Sequence, residues 1–328
     1  YEIRLSLVGS EMCIRDRDQA PEGYVRNTED VYTFQFSYTN DKEATVSFAH
    51  TFSNDRVTAK INLYKVDKET GKAVPQGDAT LKGAVYGLYA REDIVHPGGG
   101  TGTIYKAGEQ VATLTTDDKG QSSVNGLYLG KYYVKEITPP TGYLADTEEH
   151  DLTCSYEGDM TAEVKRECTS SEQVIKQPFQ IIKAANNGKT DADLLSGAGF
   201  TVYLKSSLTK KADGSYDFDS AKPVVSGENG TTEIFTDEKG YACSIAIPYG
   251  TYIVRETTTP HNYTPVDDFT VRITENNPNQ PQTWRVLLDD EFEAKLKIIK
   301  QDDETKKPVL QKNTEFKIYD LDHKKYVE

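Results

Sequence analysis

Apolar and polar positions alternate along Ile61-Asn62-Leu63-Tyr64-Lys65-Val66-Asp67. The pattern returns in Phe179-Gln180-Ile181-Ile182-Lys183 and again in Leu296-Lys297-Ile298-Ile299-Lys300. A period of two reads as a strand with one face turned inward. Each run carries a lysine in phase with its apolar residues: Lys65 with Ile61 and Leu63, Lys183 with Phe179 and Ile181, Lys300 with Leu296 and Ile298. A charged, unpaired amine in a core is strongly unfavourable. One such lysine could snorkel to the surface. Three at regular spacing need a common cause.

The lysines recur at 118 and 117 residues, which makes the chain a repeat. A second strand follows each: Gly83 to Tyr89, Gly197 to Tyr203, Thr314 to Tyr319. A turn comes next, Thr116-Asp117-Asp118-Lys119-Gly120 and then Thr236-Asp237-Glu238-Lys239-Gly240. Two further strands match, Gly130 to Glu136 and Gly250 to Glu256, each leading to a Pro-x-x-Tyr segment at Tyr143 and Tyr263. Glu136 is in phase with Tyr132 and Val134, and Glu256 with Tyr252 and Val254. Each full repeat thus sends one lysine and one glutamate to its apolar side.

Short strands between turn signals, with no helical periodicity, predict all-β architecture: tandem antiparallel β-sandwiches set end to end. The register places the tail of one repeat at 18–56, full repeats at 57–178 and 179–294, and the head of another at 295–328. Pro21-Glu22-Gly23-Tyr24 belongs to that tail. Residues 1–17 fit no repeat. Gly9 to Asp16 resembles a translated sequencing-library adapter, so this stretch is set aside as a non-native leader, with a genuine short strand or leader as the alternative.

The totals narrow the function. Lys and Arg number 38 against 52 Asp and Glu, a net charge of −14, which disfavours nucleic acid and anionic membrane. No run of apolar residues is long enough for a membrane helix. The five histidines have no metal-ligand spacing, and no Gly-x-Ser-x-Gly occurs, so neither a cofactor or metal site nor an enzyme acting on external substrate is expected. Four cysteines (Cys13, Cys154, Cys168, Cys243) do not make a disulfide scaffold.

The closing strand of a repeat should lie just before the next lysine. Asn54, in phase with Phe48 and Phe52, and Asp289 each stand 11 residues ahead of a repeat lysine, with Asp290 as the alternative register. A buried amine, a buried carboxyl and a buried amide or acid form a self-contained reaction centre. Desolvation favours the neutral amine and the neutral carboxyl. The carboxyl can polarise the acceptor and carry protons while the amine attacks. An isopeptide bond results, and no charge stays buried. The plain alternative is an ion pair between Lys183 and Glu256.

The lysine–Val–Asp strand, the Gly-Ala strand, the Thr-Asp-x-x-Gly turn and the Glu-x-x-x-Pro-x-x-Tyr segment, in this order, resemble the Cna protein B-type or SpaA-type repeats of Gram-positive surface adhesins and pilins. The resemblance covers residues 18–328. It implies a prealbumin-like sandwich, a cell-wall-anchored extracellular setting, neighbouring repeats of the same kind as partners, and an isopeptide across first and last strands. Carried over, the second repeat has Lys183, Glu256 and Asp289. The first has Lys65 and Glu136 but no Asn acceptor, and its closing strand, sought at 173–178, offers Lys176. A Cys154–Cys168 disulfide is a candidate replacement, with two unpaired core thiols as the alternative. Asn54 and Lys300 lack their partners and should be unreacted. The long loops at 91–108 and 205–230 suggest a second function class, binding of a host matrix protein or glycan.

Overall fold

The computed structural model describes residues 11–15, 19–29, 32–36, 49–189, 191–322 and 324–327. Two β-sandwiches follow one another on the same plan. The first holds β1 (Thr58–Asp67), β2 (Val85–Ala90), β3 (Gln110–Thr115), β4 (Gln121–Leu127), β5 (Gly130–Thr138), β6 (Glu149–Cys154) and β7 (Glu163–Glu172). Its sheets run β6-β5-β2-β3 and β7-β1-β4. The second holds β8 (Gln180–Ala185), β9 (Gly199–Leu204), β10 (Glu233–Phe235), β11 (Tyr241–Cys243), β12 (Gly250–Thr258), β13 (Phe269–Ile273) and β14 (Arg285–Asp289). Its sheets run β13-β12-β9-β10 and β14-β8-β11. The pairings are antiparallel with one exception in each domain: the first and last strands, β1 with β7 and β8 with β14, lie parallel.

Alternation builds each core. Along β1 every second residue is buried, Ala59, Ile61, Leu63, Lys65 and Asp67. They meet Tyr86, Leu88, Tyr132 and Val134 from the opposite sheet. In the second domain Phe179 and Ile181 meet Phe200, Val202, Tyr252 and Val254. Two short 3₁₀ turns, Lys205–Ser207 and Glu228–Gly230, are the helical elements among the described residues, and none is long and apolar enough to cross a membrane.

The domains join without a slack linker. Lys176 and Gln177 pair antiparallel with Pro248 and Ile247. Asp78 of the first domain accepts the Thr251 backbone N–H of the second at 2.9 Å. Tyr249 packs on Ala79, Leu81, Tyr143 and Val174.

Four strand expectations are corrected, one of them at 314–319, where only Tyr319 is in a strand. Residues 296–300 form no strand: Leu296 is 68% exposed and Ile299 64%. A strand needs a neighbour, and the described residues beyond Lys300 hold only the short pair Tyr319–Asp320 and Lys325–Tyr326. Residues 49–55 are likewise irregular, and Phe48 lies outside the described residues. The closing strand of the first domain is Glu163–Glu172, not 173–178, because it must extend beside the whole of β1. Of residues 1–17 the structure describes 11–15, an antiparallel partner of Tyr32–Phe36.

Candidate functional site: two buried lysine–carboxylate centres

The turn that follows β3 sets the lysine in place. Asp117 Oδ1 accepts the backbone N–H groups of Lys119 and Gln121, and Asp237 Oδ1 accepts those of Lys239 and Tyr241. These turns end on Gly120 and Gly240, both at positive φ, 71° and 63°. The Gly120 carbonyl accepts the Lys65 backbone N–H at 2.8 Å, and Gly240 does the same for Lys183. A side chain on either glycine would run into the lysine's own carbonyl oxygen. The turn motif is therefore the clasp that holds the lysine strand.

In the second domain Lys183, Glu256 and Asp289 converge with their side chains sealed from solvent. Lys183 Nζ lies 2.7 Å from Glu256 Oε2 and also contacts Asp289 Oδ1. The Val266 backbone N–H holds the same Glu256 oxygen at 3.1 Å. Asp289 Oδ2 and Glu256 Oε1 are buried with no hydrogen-bond partner. Burial raises the Asp289 carboxyl above its ordinary range, against the pull of Lys183 and with a push from Glu256. Asp290 is exposed and accepts from the Asn186 side chain, so its register points away from the centre.

The first domain repeats the arrangement with other residues. Lys65 Nζ lies 3.4 Å from Glu136 Oε1 and contacts Glu172 Oε1. The Asp146 backbone N–H anchors Glu136 Oε2 at 2.7 Å, as Val266 anchors Glu256. Tyr86 O–H donates to Glu172 Oε1 at 2.8 Å and lies 3.0 Å from Ser170 Oγ. Ser170 in turn donates to Asp146 Oδ2, which also meets His150. Burial lowers the Lys65 amine to about 8, with Glu136 and Asp146 opposing.

That shift has a sign. While Lys65 is a free amine, the folded domain binds fewer protons than the unfolded chain between about pH 8 and its ordinary 10.5. Stability then rises with pH across that window. Glu136, Glu172, Asp146, Tyr86 and the Tyr143 ring all face the amine, so no other cation offsets it in this centre. Urea midpoints measured from pH 7 to 9, below the range in which the buried Cys168 opposes the effect, should climb for a chain with a free Lys65. A midpoint indifferent to this window means that the amine no longer titrates.

The remaining expected residues fall elsewhere. Lys176 sits at the surface on Glu69 Oε2, 2.5 Å away, not in the centre. Cys154 and Cys168 are free, buried thiols, which corrects the candidate disulfide. They belong to different sheets and serve the core as small apolar groups, and burial lifts Cys168 to about 11. Lys300 donates to the Gln311 carbonyl and to Thr314 Oγ1. Asn54 is half-buried. The loops at 91–108 and 205–230 are folded back as small hairpins, Ile94–Val95 with Thr103–Tyr105 and Thr209–Lys210 with Tyr216–Asp217. No cluster of three metal-binding side chains occurs among the described residues.

Glu172, Tyr86 and Ser170 were not legible as site residues. One signal could have found Glu172: the spacing of 106 between Lys183 and Asp289, applied from Lys65, ends one residue short of it.

Two tandem sandwiches of prealbumin-like plan, each with a lysine and two carboxylates sealed between the sheets, define a class of structural repeat domain. The chain belongs to the SpaA family of prealbumin-like fold domains, whose model matches residues 59–167 and 178–285. No curated protein matches it. Among solved structures it is similar to the Bacillus anthracis TIE protein, at 21% identity and a TM-score of 0.52 over 86% of this chain; the chain spans 42% of that protein's length. It also matches the minor pilin GBS52 of Streptococcus agalactiae at 15% identity over 74% of this chain and 100% of the pilin, with a TM-score of 0.32. The shaft pilin SpaA of Lactobacillus rhamnosus GG matches at 19% identity over 73% of this chain and 99% of the pilin, with a TM-score of 0.26.

Proposed function

We propose that this chain is a stalk section of a Gram-positive surface protein, and that its second domain closes itself with an isopeptide bond between Lys183 and Asp289. The observation that carries the reading is the sealed contact of Lys183 Nζ with both Asp289 Oδ1 and Glu256 Oε2. The amine attacks Asp289 Cγ, the Nζ–Cγ bond forms and the Cγ–O bond breaks. Starting from the ammonium–carboxylate pair, Glu256 takes one proton to free the amine and a second as the amide forms, and relays both to the departing oxygen, which leaves as water. Glu256 needs no outside reagent for this.

Membership in the SpaA family supports an extracellular, wall-attached setting and neighbouring repeats as partners. The bond would join the first and last strands of the domain, so load on the chain would pass from β8 to β14 without unzipping the sheets between them. The work is mechanical, and the chemistry acts once, on the protein itself.

Peptide mapping of the purified chain tests this. A branched peptide should join the Lys183 and Asp289 segments, lighter by one water than the sum of the two. Two linear peptides, with Lys183 open to trypsin, would leave only the ion pair.

A further inference from the structure

We infer that the first domain closes by a lysine–glutamate bond, from Lys65 Nζ to Glu172 Cδ, with Tyr86 polarising the acceptor and Glu136 carrying the protons. The inference rests on the proposed chemistry of the second domain and extends it to an acceptor one methylene longer.

Position is the first argument. In each repeat the tyrosine of the Pro-x-x-Tyr segment forms an isolated bridge with a residue near the repeat's end: Tyr24 with Arg56, Tyr143 with Val174, Tyr263 with Glu291. Two residues before each bridged partner stand Asn54, Glu172 and Asp289. The parallel register agrees. Glu172 lies opposite Asp67 and Asp289 opposite Ala185, each two residues beyond the lysine. Glu172 therefore occupies the acceptor place that an Asn or Asp fills in the neighbouring repeats.

Local chemistry is the second. Lys65, Glu136 and Glu172 have essentially no exposed side-chain surface. Lys65 Nζ contacts Glu172 Oε1, while Glu172 Oε2 is buried without any hydrogen-bond partner. The second domain orphans the matching oxygen, Asp289 Oδ2. An ion pair evolved for its own sake should satisfy both oxygens of so deeply buried a carboxylate. An oxygen that departs as water needs no lasting donor.

Tyr86 is the third. It lies opposite Glu136 in the sheet, just as Phe200 lies opposite Glu256. The first domain thus places a hydroxyl where the second has a bare ring. That hydroxyl donates to Glu172 Oε1 at 2.8 Å, where negative charge gathers as the amine adds to Cδ. The Nζ–Cδ bond forms and the Cδ–Oε2 bond breaks. Both protons lost by the ammonium leave with Oε2 as water, through Glu136, and nothing is oxidised or reduced.

Peptide mapping and intact mass of the full chain test the assignment. The expected product is a branched peptide joining the Lys65 and Glu172 segments, and an intact mass two waters below that of the sequence when both centres have reacted. Glu172→Gln should release ammonia in place of water, so that parent and variant finish at one mass. Tyr86→Phe, which installs the ring of the second domain, should slow bond formation about a hundredfold after refolding. Linear Lys65 and Glu172 peptides beside a branched Lys183–Asp289 peptide would overturn this assignment alone. Linear peptides at both centres would overturn the shared chemistry as well.

Discussion

Lys183→Ala should lower the melting temperature of the second domain by on the order of 20 °C. A bond from Lys183 to Asp289 would close a loop of 106 residues. By analogy with a disulfide of that span, closure stabilises by roughly 4–5 kcal/mol in the chain-entropy model. A domain of about 100 residues converts each kcal/mol into several degrees. The variant also strands Asp289 and Glu256 in a pocket without a cation. Calorimetry of the full chain is the measurement, with the first domain as internal reference. Magnitude alone does not separate a covalent bond from a buried ion pair, since breaking such a pair costs about 3–5 kcal/mol too. Glu256→Gln makes the separation. It keeps the shape, blocks the proton transfer, and should restore the mass of one water along with much of the thermal loss. An unchanged melting temperature in Lys183→Ala would remove the centre from any account of stability.

Gly240→Ala should destabilise the same domain by about 3 kcal/mol or more. Its φ of 63° belongs to the left-handed region, which by itself costs an alanine about 1–2 kcal/mol. The added methyl also meets the Lys183 carbonyl oxygen, which is backbone and cannot rotate aside. Gly214→Ala is the control. Its φ is 87°, but nothing lies within 4 Å of the position a methyl would take. Urea midpoints of the two variants should differ by the contact contribution alone. Equal midpoints would mean that the turn can retreat from the lysine strand. Because the Gly240 carbonyl holds the Lys183 N–H, the variant should also form the cross-link more slowly.

Much of this was readable from residues. The alternation that placed Lys65 in the core is the burial pattern of β1; Lys183 is wholly buried as well, in a strand buried at every position but Ile182. The inward parity of Glu136 and Glu256 is likewise seen in β5 and β12. The failure was at β7. Its inward residues are Val164, Cys168, Ser170 and Glu172, so the apolar signal fades where the polar cluster begins. Val174 and Ile175, just beyond, imitate a strand but dock at the domain junction. The run at 296–300 fails for another reason. Its pattern is that of a strand, but pairing is a property of the sheet it joins.

The parallel pairing of first and last strands has a geometric result. An antiparallel pair would return the chain to the pole where it came in, and successive copies would double back. With β1 beside β7 in the same direction, the chain comes in at one pole and goes out at the other. The ten residues of β1 span about 33 Å at 3.3 Å each. Every added copy therefore extends the molecule's reach by about that length, and reach becomes a matter of counting copies.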